Sequence, residues 1–253
     1  IKISYMTNNI YFIANWKMYG STSSLNSLNK LINLSKLKKY NKAKIIYFPP
    51  FTLINDLIKK FNKTKILVGG QNCHHIEDYG SFTGSISPKM LKDLGCKYVI
   101  LGHSENRTSG ENDNDVNKKI RSALNKKLKI VFCIGETLKE KRKKLTYSVL
   151  KKQINKGLKG VKNYQNFLVA YEPVWAIGTG VIPKNKELKF NVATIRKLIS
   201  KKTKKKLPIL YGGSVNSKNI SGLKNITGIS GFLIGSASQS SKKFIDIIKK
   251  TIN

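Results

Sequence analysis

Eight short runs of apolar and β-branched residues recur along the chain, with room for at least one helix between most neighbouring runs. In order they are IYFIA (10–14), KIIYF (44–48), KILVG (65–69), KYVIL (97–101), KIVFCI (129–134), FLVAY (167–171), LPILY (207–211) and GFLI (231–234). Within a run the apolar residues follow one another instead of alternating with polar ones, which is typical of parallel strands buried on both faces. The pattern therefore predicts eight parallel strands.

Segments with helical periodicity separate these runs. SSLNSLNKLINLSKL, from Ser23, has leucine and isoleucine at steps of three and four behind a serine cap, and SSKKFIDIIKKTI near the end repeats this pattern. Alternating strands and helices in one chain predict an α/β fold, a single (β/α)8 barrel domain over residues 10–253. The alternative is a doubly wound open sheet, and residues 1–9 are predicted to form an N-terminal extension.

Composition narrows the class of protein. No apolar run in the 253 residues approaches the roughly 18 residues that a membrane span needs, so no membrane partner is expected. Cys73, Cys96 and Cys133 are too few and too widely spaced for a disulfide framework or a paired-cysteine zinc site. A reducing, cytoplasmic compartment is the expectation, and the segment IKISYMTNN lacks the apolar core of a secretory signal.

The formal net charge of +35 makes nucleic-acid binding the first rival hypothesis. Only four of the 48 cationic residues are arginine, whereas nucleic-acid readers commonly use arginine forks and stacking surfaces. The densest basic runs, KEKRKK (139–144) and KKTKKK (201–206), contain no aromatic residue on which a base could stack. Solvated surfaces that attract small anions are therefore favoured, and no nucleic-acid partner is expected.

A barrel predicts chemistry on the loops that follow the strands, at the carboxyl-terminal face. Five of the eight predicted strands are followed by polar or glycine-rich signals: Asn15 and Lys17 in NWK, His103 and Glu105 in GHSE, Glu172, YGGS from Tyr211 to Ser214, and GSAS from Gly235. Their placement at successive strand ends of one barrel indicates a shared site.

Each signal also has an ordinary interpretation. Lys17 could be one more surface lysine, and His103 could merely satisfy a hydrogen bond. A carboxylate that ends a buried strand, such as Glu172, is either half of a buried ion pair or a general base whose charge is disfavoured by burial. Glycines at such loops form tight turns or let backbone amides approach a ligand.

The adjacent residues His74 and His75 are the remaining histidines of the chain. Neighbours on a chain point apart, and no third ligand lies at a usable spacing, so we interpret them as structural. No metal site and no cofactor are predicted.

The motifs ANWK, LGHSE, CIGE, AYEPVWAIGTG, YGGSV and GFLIGSAS, in this order, resemble the signature of the triosephosphate isomerase family, whose fold is the TIM barrel. The resemblance extends from about Ile10 to the C-terminus. It implies that a homodimeric enzyme of glycolysis and gluconeogenesis interconverts dihydroxyacetone phosphate and D-glyceraldehyde 3-phosphate through an enediolate. The sequence leaves two rival functions open: a lysine-dependent aldolase on a related barrel, and a non-catalytic basic binding protein.

The resemblance also implies roles for individual residues. Glu172 would be the base, His103 a neutral imidazole that donates to the substrate oxygen, and Lys17 and Asn15 would bind the same oxygen and the phosphate. Phosphate would also be bound by Gly178, Ser214 and the amides of Gly235 and Ser236. Glu105 matches an acid beside the site, Tyr211 matches a residue that holds the active-site lid closed, and Thr83 one that reaches toward the partner subunit.

Several positions depart from the family pattern. The lid ends in Val181, Ile182 and Pro183 where lysine, threonine and alanine are usual, and Ser236 replaces a glycine. Ser85 and Asn106 stand where the family has an acid and an arginine that pair across the dimer interface. Losing both members removes a charge pair without leaving an unpaired charge.

Overall fold

The computed structural model describes residues 9–165 and 167–253. The predicted extension, residues 1–9, lies outside this description except for its last residue. Eight parallel strands close on themselves in the order of the chain, β1 pairing with both β2 and β8. The strands are β1 (Ile10–Asn15), β2 (Ala43–Phe48), β3 (Leu67–Gly70), β4 (Tyr98–Leu101), β5 (Lys129–Ile134), β6 (Phe167–Tyr171), β7 (Ile209–Tyr211) and β8 (Ile229–Ile234). The barrel prediction is confirmed, and the open-sheet alternative is wrong.

Helices surround the barrel on the outside. They are α1 (Asn29–Lys36), α2 (Ile54–Lys60), α3 (Pro88–Leu94), α4 (Ser104–Thr108), α5 (Asp113–Asn125), α6 (Leu138–Arg142), α7 (Thr146–Gly157), α8 (Asn185–Thr203), α9 (Ile220–Leu223) and α10 (Ser241–Ile252). Within the described residues, no helix is both long and apolar enough to cross a bilayer.

The continuous apolar character of the strands follows from burial on two sides. Ile13, Val131 and Leu233 belong to a cluster inside the barrel, whereas Phe12 and Phe232, their chain neighbours, belong to the larger core between the strands and the helices. Because successive side chains of a strand point to opposite faces, both parities must be apolar. This burial is what fixes the strand ends in space.

The first helical segment differs from its prediction. Residues Thr22–Leu28 form a 3-10 helix, and the α-helix begins only at Asn29. Ser24 accepts a bond from the Ser21 amide, and the Ser27 hydroxyl donates to the Ser24 carbonyl. Such local side-chain bonds to the backbone compete with α-helical pairing, which the leucine spacing alone does not reveal.

The barrel closes through a close approach at Gly231 of β8. A Cβ atom built there would lie 2.1 Å from the carbonyl oxygen of Tyr11 on β1. Glycine is therefore needed for these two strands to pair. The closed seam in turn brings the loop after β8 beside the loop after β1.

Candidate active site

The loop after β1 carries Asn15 and Lys17 in a constrained turn. Lys17 has φ 55°, in the left-handed region, which costs a residue with a side chain about 1–3 kcal/mol. Its amide donates to Asn15 Oδ1 at 3.0 Å, and Gln71 Nε2 donates to its carbonyl at 2.8 Å. These bonds hold the turn so that Lys17 Nζ lies 2.6 Å from Glu105 Oε1.

His103 is 5 % exposed and forms the N-cap of α4. Its Nδ1 accepts a hydrogen bond from the Glu105 amide at 3.3 Å. Its Nε2 lies 3.2 Å from Glu172 Oε1 and 3.3 Å from Asn15 Nδ2. Because an Nδ1 that accepts carries no proton, the neutral ring has its proton on Nε2, the nitrogen that faces Glu172.

Opposing effects act on the pKa of His103. Burial lowers it, the carboxylates of Glu172 and Glu105 raise it, Lys17 lowers it, and the net pKa is raised from its ordinary value. The upward contribution depends mainly on Glu172 lying against the ring. The charge state of the imidazole is therefore coupled to the position of one carboxylate.

Glu172 is 2 % exposed and directly follows β6. Its Oε2 accepts from the Ser104 amide at 3.3 Å, so the buried carboxylate is partnered by a backbone amide and by the His103 ring. Two glycines make room for it. A Cβ at Gly135 would lie 1.8 Å from the Glu172 carbonyl oxygen, and one at Gly212 would lie 2.8 Å from Glu172 Cγ. The glycine after β7 thus admits the carboxylate.

The segment 174–183, which we call the lid, follows Glu172. It begins with a 3-10 turn, Val174–Ala176, and bends at Gly178 and Gly180, with φ of 71° and 76°. Ser214 Oγ accepts from the Gly180 amide at 3.1 Å and donates to the Ala176 carbonyl at 2.7 Å. One hydroxyl therefore connects the lid to the loop after β7 at two points.

Tyr211, at the end of β7, does not hold the lid in this arrangement. Its hydroxyl is buried and has no hydrogen-bond partner within residues 9–165 and 167–253. Pro183, which ends the lid, is buried and has no amide hydrogen to offer.

Five further residues beside the site, to which the sequence assigned no role, are Glu136, Trp175, Tyr171, Asn191 and Gln71. Glu136, of the CIGE motif, is fully buried and accepts from Trp175 Nε1 at 2.9 Å and from the Tyr171 hydroxyl at 3.1 Å. Asn191 Nδ2 donates to the same hydroxyl at 2.9 Å. Burial raises the pKa of Glu136 although these bonds oppose the shift. Glu136 and Gln71 both follow strand ends, so the barrel rule that found His103 could have found them.

The loop after β8 approaches Lys17. A Cβ at Gly235 would lie 3.4 Å from Lys17 Cε. Ser236 is exposed and begins a 3-10 turn, Ser236–Gln239. Its φ is negative, so the serine causes no backbone strain where the family has a glycine.

The remaining sequence-predicted positions lie outside this cluster of contacts. Thr83 and Ser85 are exposed on the loop that joins β3 to α3, and Asn106 is half-buried on α4. His74 and His75 do not point apart as expected: their ring centroids lie 4.3 Å apart because the chain turns there, and His74 Nδ1 accepts from the Ile76 amide. In the part of the chain that the structure describes, no three metal-ligating side chains cluster.

Known proteins resemble the chain over nearly its whole length. The family model described as "Triosephosphate isomerase" matches residues 10–251. The enzyme of that name from Dictyoglomus thermophilum is 42 % identical over 244 residues, covering 93 % of this chain and 97 % of the relative. The one from Geotalea uraniireducens is 40 % identical and covers 93 % and 96 %. The crystal structure of triosephosphate isomerase from Bartonella henselae, 32 % identical, has a TM-score of 0.87 and covers 97 % of this chain and 100 % of that one.

The coupling between His103 and Glu172 can be measured. Replacement of Glu172 by Gln removes the largest contribution that raises the pKa of His103 and leaves the smaller one of Glu105, while burial and Lys17, both of which lower the pKa, remain. We expect the pKa of His103 to fall in Glu172→Gln, followed by NMR titration of the ring. Asp246→Asn on α10 removes a carboxylate elsewhere and should leave the titration unchanged. An unchanged or raised pKa in Glu172→Gln would contradict this account.

Proposed function

The chain belongs to the triosephosphate isomerase family, and from this premise we propose which of its residues carry the reaction. The protein is an aldose–ketose isomerase that interconverts dihydroxyacetone phosphate and glyceraldehyde 3-phosphate, a reaction of glycolysis. Because the chain belongs to this family, neither rival function, that of an aldolase or that of a non-catalytic binding protein, is its primary function. We propose Glu172 as the base, and the observation that carries the proposal is its burial against the Nε2 of His103.

The proposed chemistry begins with displacement of Glu172 from the ring. The substrate oxygen takes its place as the acceptor of the His103 Nε2 proton. Glu172 then removes a proton from the carbon beside the carbonyl and returns it to the neighbouring carbon. Meanwhile His103 gives its Nε2 proton to the carbonyl oxygen and recovers one from the adjacent hydroxyl group, so that the C–H and O–H protons both balance. As the carboxylate leaves the ring, the largest contribution that raises the pKa of His103 weakens, and burial favours the neutral imidazole.

Lys17 and Asn15 are proposed to stabilise the charge that develops on the substrate oxygen. A preorganised cation and amide act more strongly in a pocket from which water is excluded than they do in water. The ion pair of Lys17 with Glu105 supports this role, because it holds the ammonium group close to His103 before substrate arrives. Glu105 thus positions Lys17 and His103 together.

The phosphate of the substrate is proposed to bind beside Lys17, between the lid and the loops after β7 and β8. Gly178 of the lid, Ser214, Gly235 and Ser236 would supply amides and a hydroxyl, together with the ammonium group of Lys17. The proximity of Gly235 to the Lys17 stem supports a shared anion site. The net charge of +35 would draw the dianionic substrate toward the protein, and we assign no nucleic-acid partner to it.

Replacement of the proposed base tests this assignment. Glu172→Gln keeps the shape of the side chain but cannot accept the proton, so we expect kcat to fall by about a thousandfold. A coupled assay of glyceraldehyde 3-phosphate formation measures it. Asp246→Asn serves as the control and should keep the wild-type rate. Wild-type turnover by Glu172→Gln would mean that another group is the base.

The two residues at the lid make a second test. Tyr211→Phe removes a hydroxyl that has no partner in the described residues, so we expect kcat/KM within about twofold of wild type. Ser214→Ala removes both hydroxyl bonds to the lid, keeps the bond of the residue 214 amide to the Ala176 carbonyl, and should lower kcat/KM by about tenfold. A larger loss in Tyr211→Phe than in Ser214→Ala would show that the tyrosine holds the lid in the bound state.

We also propose a homodimer. Large apolar side chains are exposed on two loops: Met18 is 92 % and Tyr19 60 % exposed after Lys17, and Phe82 is 45 % exposed on the loop that carries Thr83. Large exposed apolar side chains that come together on a surface commonly mark an interface. Thr83 would reach toward Lys17 of the partner subunit.

Sedimentation at micromolar concentration tests the dimer. We expect a dimer that strengthens as salt is added, because the interface lacks the family charge pair and two chains of charge +35 repel each other. Thr83→Lys places a further cation at the proposed interface and should weaken the dimer, whereas Lys151→Met on α7 should not. A monomer at all salt concentrations would overturn the proposal.

The cytoplasm is the proposed location. Cys73, Cys96 and Cys133 are buried free thiols, and burial raises the pKa of Cys73 and of Cys96 to about 12. Protonated, buried thiols are suited to a reducing compartment.

A further inference from the structure

Trp175, the second residue of the lid, is held by two side chains, Glu136 from the loop after β5 and Lys141 from α6. Glu136 accepts the indole N–H at 2.9 Å, as described above. On the face of the ring, Lys141 Nζ lies 3.4 Å from the centroid, well inside the range of about 6 Å for a cation–π contact. Lys141 belongs to the basic run KEKRKK, which sequence analysis interpreted as a solvated surface.

Lys141 also contacts the helix that follows the lid. Its Nζ lies 2.6 Å from Oε1 of Glu187, in the first turn of α8, which begins two residues after the lid ends. Asn191, one turn later on α8, is bonded through Tyr171 to Glu136. Both the edge and the face of the Trp175 ring are therefore linked to α8.

The cation is placed selectively. Although the chain is rich in lysine, in the described residues only five of its lysines come within 4 Å of a carboxylate, namely Lys17, Lys89, Lys119, Lys126 and Lys141. Lys141 combines such an ion pair with the closest of the cation–π contacts found there. One of the few acids of the chain is thus used beside the lid.

We propose that Lys141 and Glu187 form a latch that orders the start of the lid through Trp175. Lys141 is a positioning residue, since it touches neither the proposed base nor the proposed phosphate site. A lid whose first turn is already ordered loses less conformational freedom when it covers the substrate, so the latch favours substrate binding and turnover. This inference rests on the lid and base assignments of the proposed function.

Three variants separate the parts of the latch. Lys141→Met keeps an unbranched apolar stem but removes the cation, Glu187→Gln removes the ion pair and leaves the ring contact, and Lys141→Arg keeps both interactions. Lys151→Met is the matched control. Lys151 Nζ lies 5.9 Å from the Tyr147 ring on α7, so this variant loses the same charge and a lysine–aromatic contact of the same kind.

The first measurement is amide hydrogen exchange of residues 174–182 in the substrate-free enzyme. We expect Lys141→Met to exchange about threefold faster in this segment, with Glu187→Gln between it and wild type and Lys141→Arg near wild type. The melting temperature should match that of Lys151→Met. Equal exchange in Lys141→Met and Lys151→Met would overturn the latch.

The second measurement is steady-state kinetics. Lys141→Met should lower kcat/KM by about threefold and weaken binding of phosphoglycolate by a similar factor, and Lys141→Arg should restore both. Failure of the arginine to restore them would also overturn the proposal. Hydrogen exchange without substrate does not depend on which group is the base. Wild-type turnover by Glu172→Gln would therefore refute the proposed base, and the latch would still be judged by the exchange rates of its own variants.

Discussion

The site depends on one buried carboxylate. An ionised group at the mouth of an apolar barrel is stable only if hydrogen bonds replace the water it has lost. Glu172 obtains them from the Ser104 amide and from the His103 ring, both in the loop after β4. Each of these partners needs its own support, which the turn of α4, Glu105 and Lys17 provide. The contacts around the site are therefore linked, and a change in one alters the others.

The position of Glu172 also accounts for the glycines around it. Gly135 gives room to its backbone and Gly212 to its side chain, so these residues are explained by close approach and not by turn geometry alone. The sequence offered two explanations for the glycines after β7, tight turns and close approach of backbone amides to a ligand. Room for a carboxylate side chain was neither of them. The strand carries the carboxylate to the mouth, and its neighbours are small because the carboxylate is there.

Strand order and the residues at strand ends could be predicted from sequence because burial on two faces leaves a strong local pattern. The rule that barrel chemistry lies on the loops after the strands is enough to find Asn15, Lys17, His103 and Glu172. The Glu136 network was missed because Glu136 follows β5, whereas its partners, Trp175, Tyr171 and Asn191, belong to the next unit of the barrel, from β6 to α8. The Tyr211 hydroxyl, which has no hydrogen-bond partner among the residues that the structure describes, was missed for the same reason: hydrogen bonding between distant segments leaves no periodic signal.

The left-handed turn at Lys17 places backbone stability in opposition to the role proposed for its ammonium group. Glycine is the residue that a backbone with φ 55° accepts most easily. It has no ammonium group to place beside Glu105. Random mutation with selection for heat resistance alone would therefore tend to favour glycine at this position, whereas selection for growth on triose phosphates would retain lysine. A search for more stable variants of this enzyme should hold residue 17 constant.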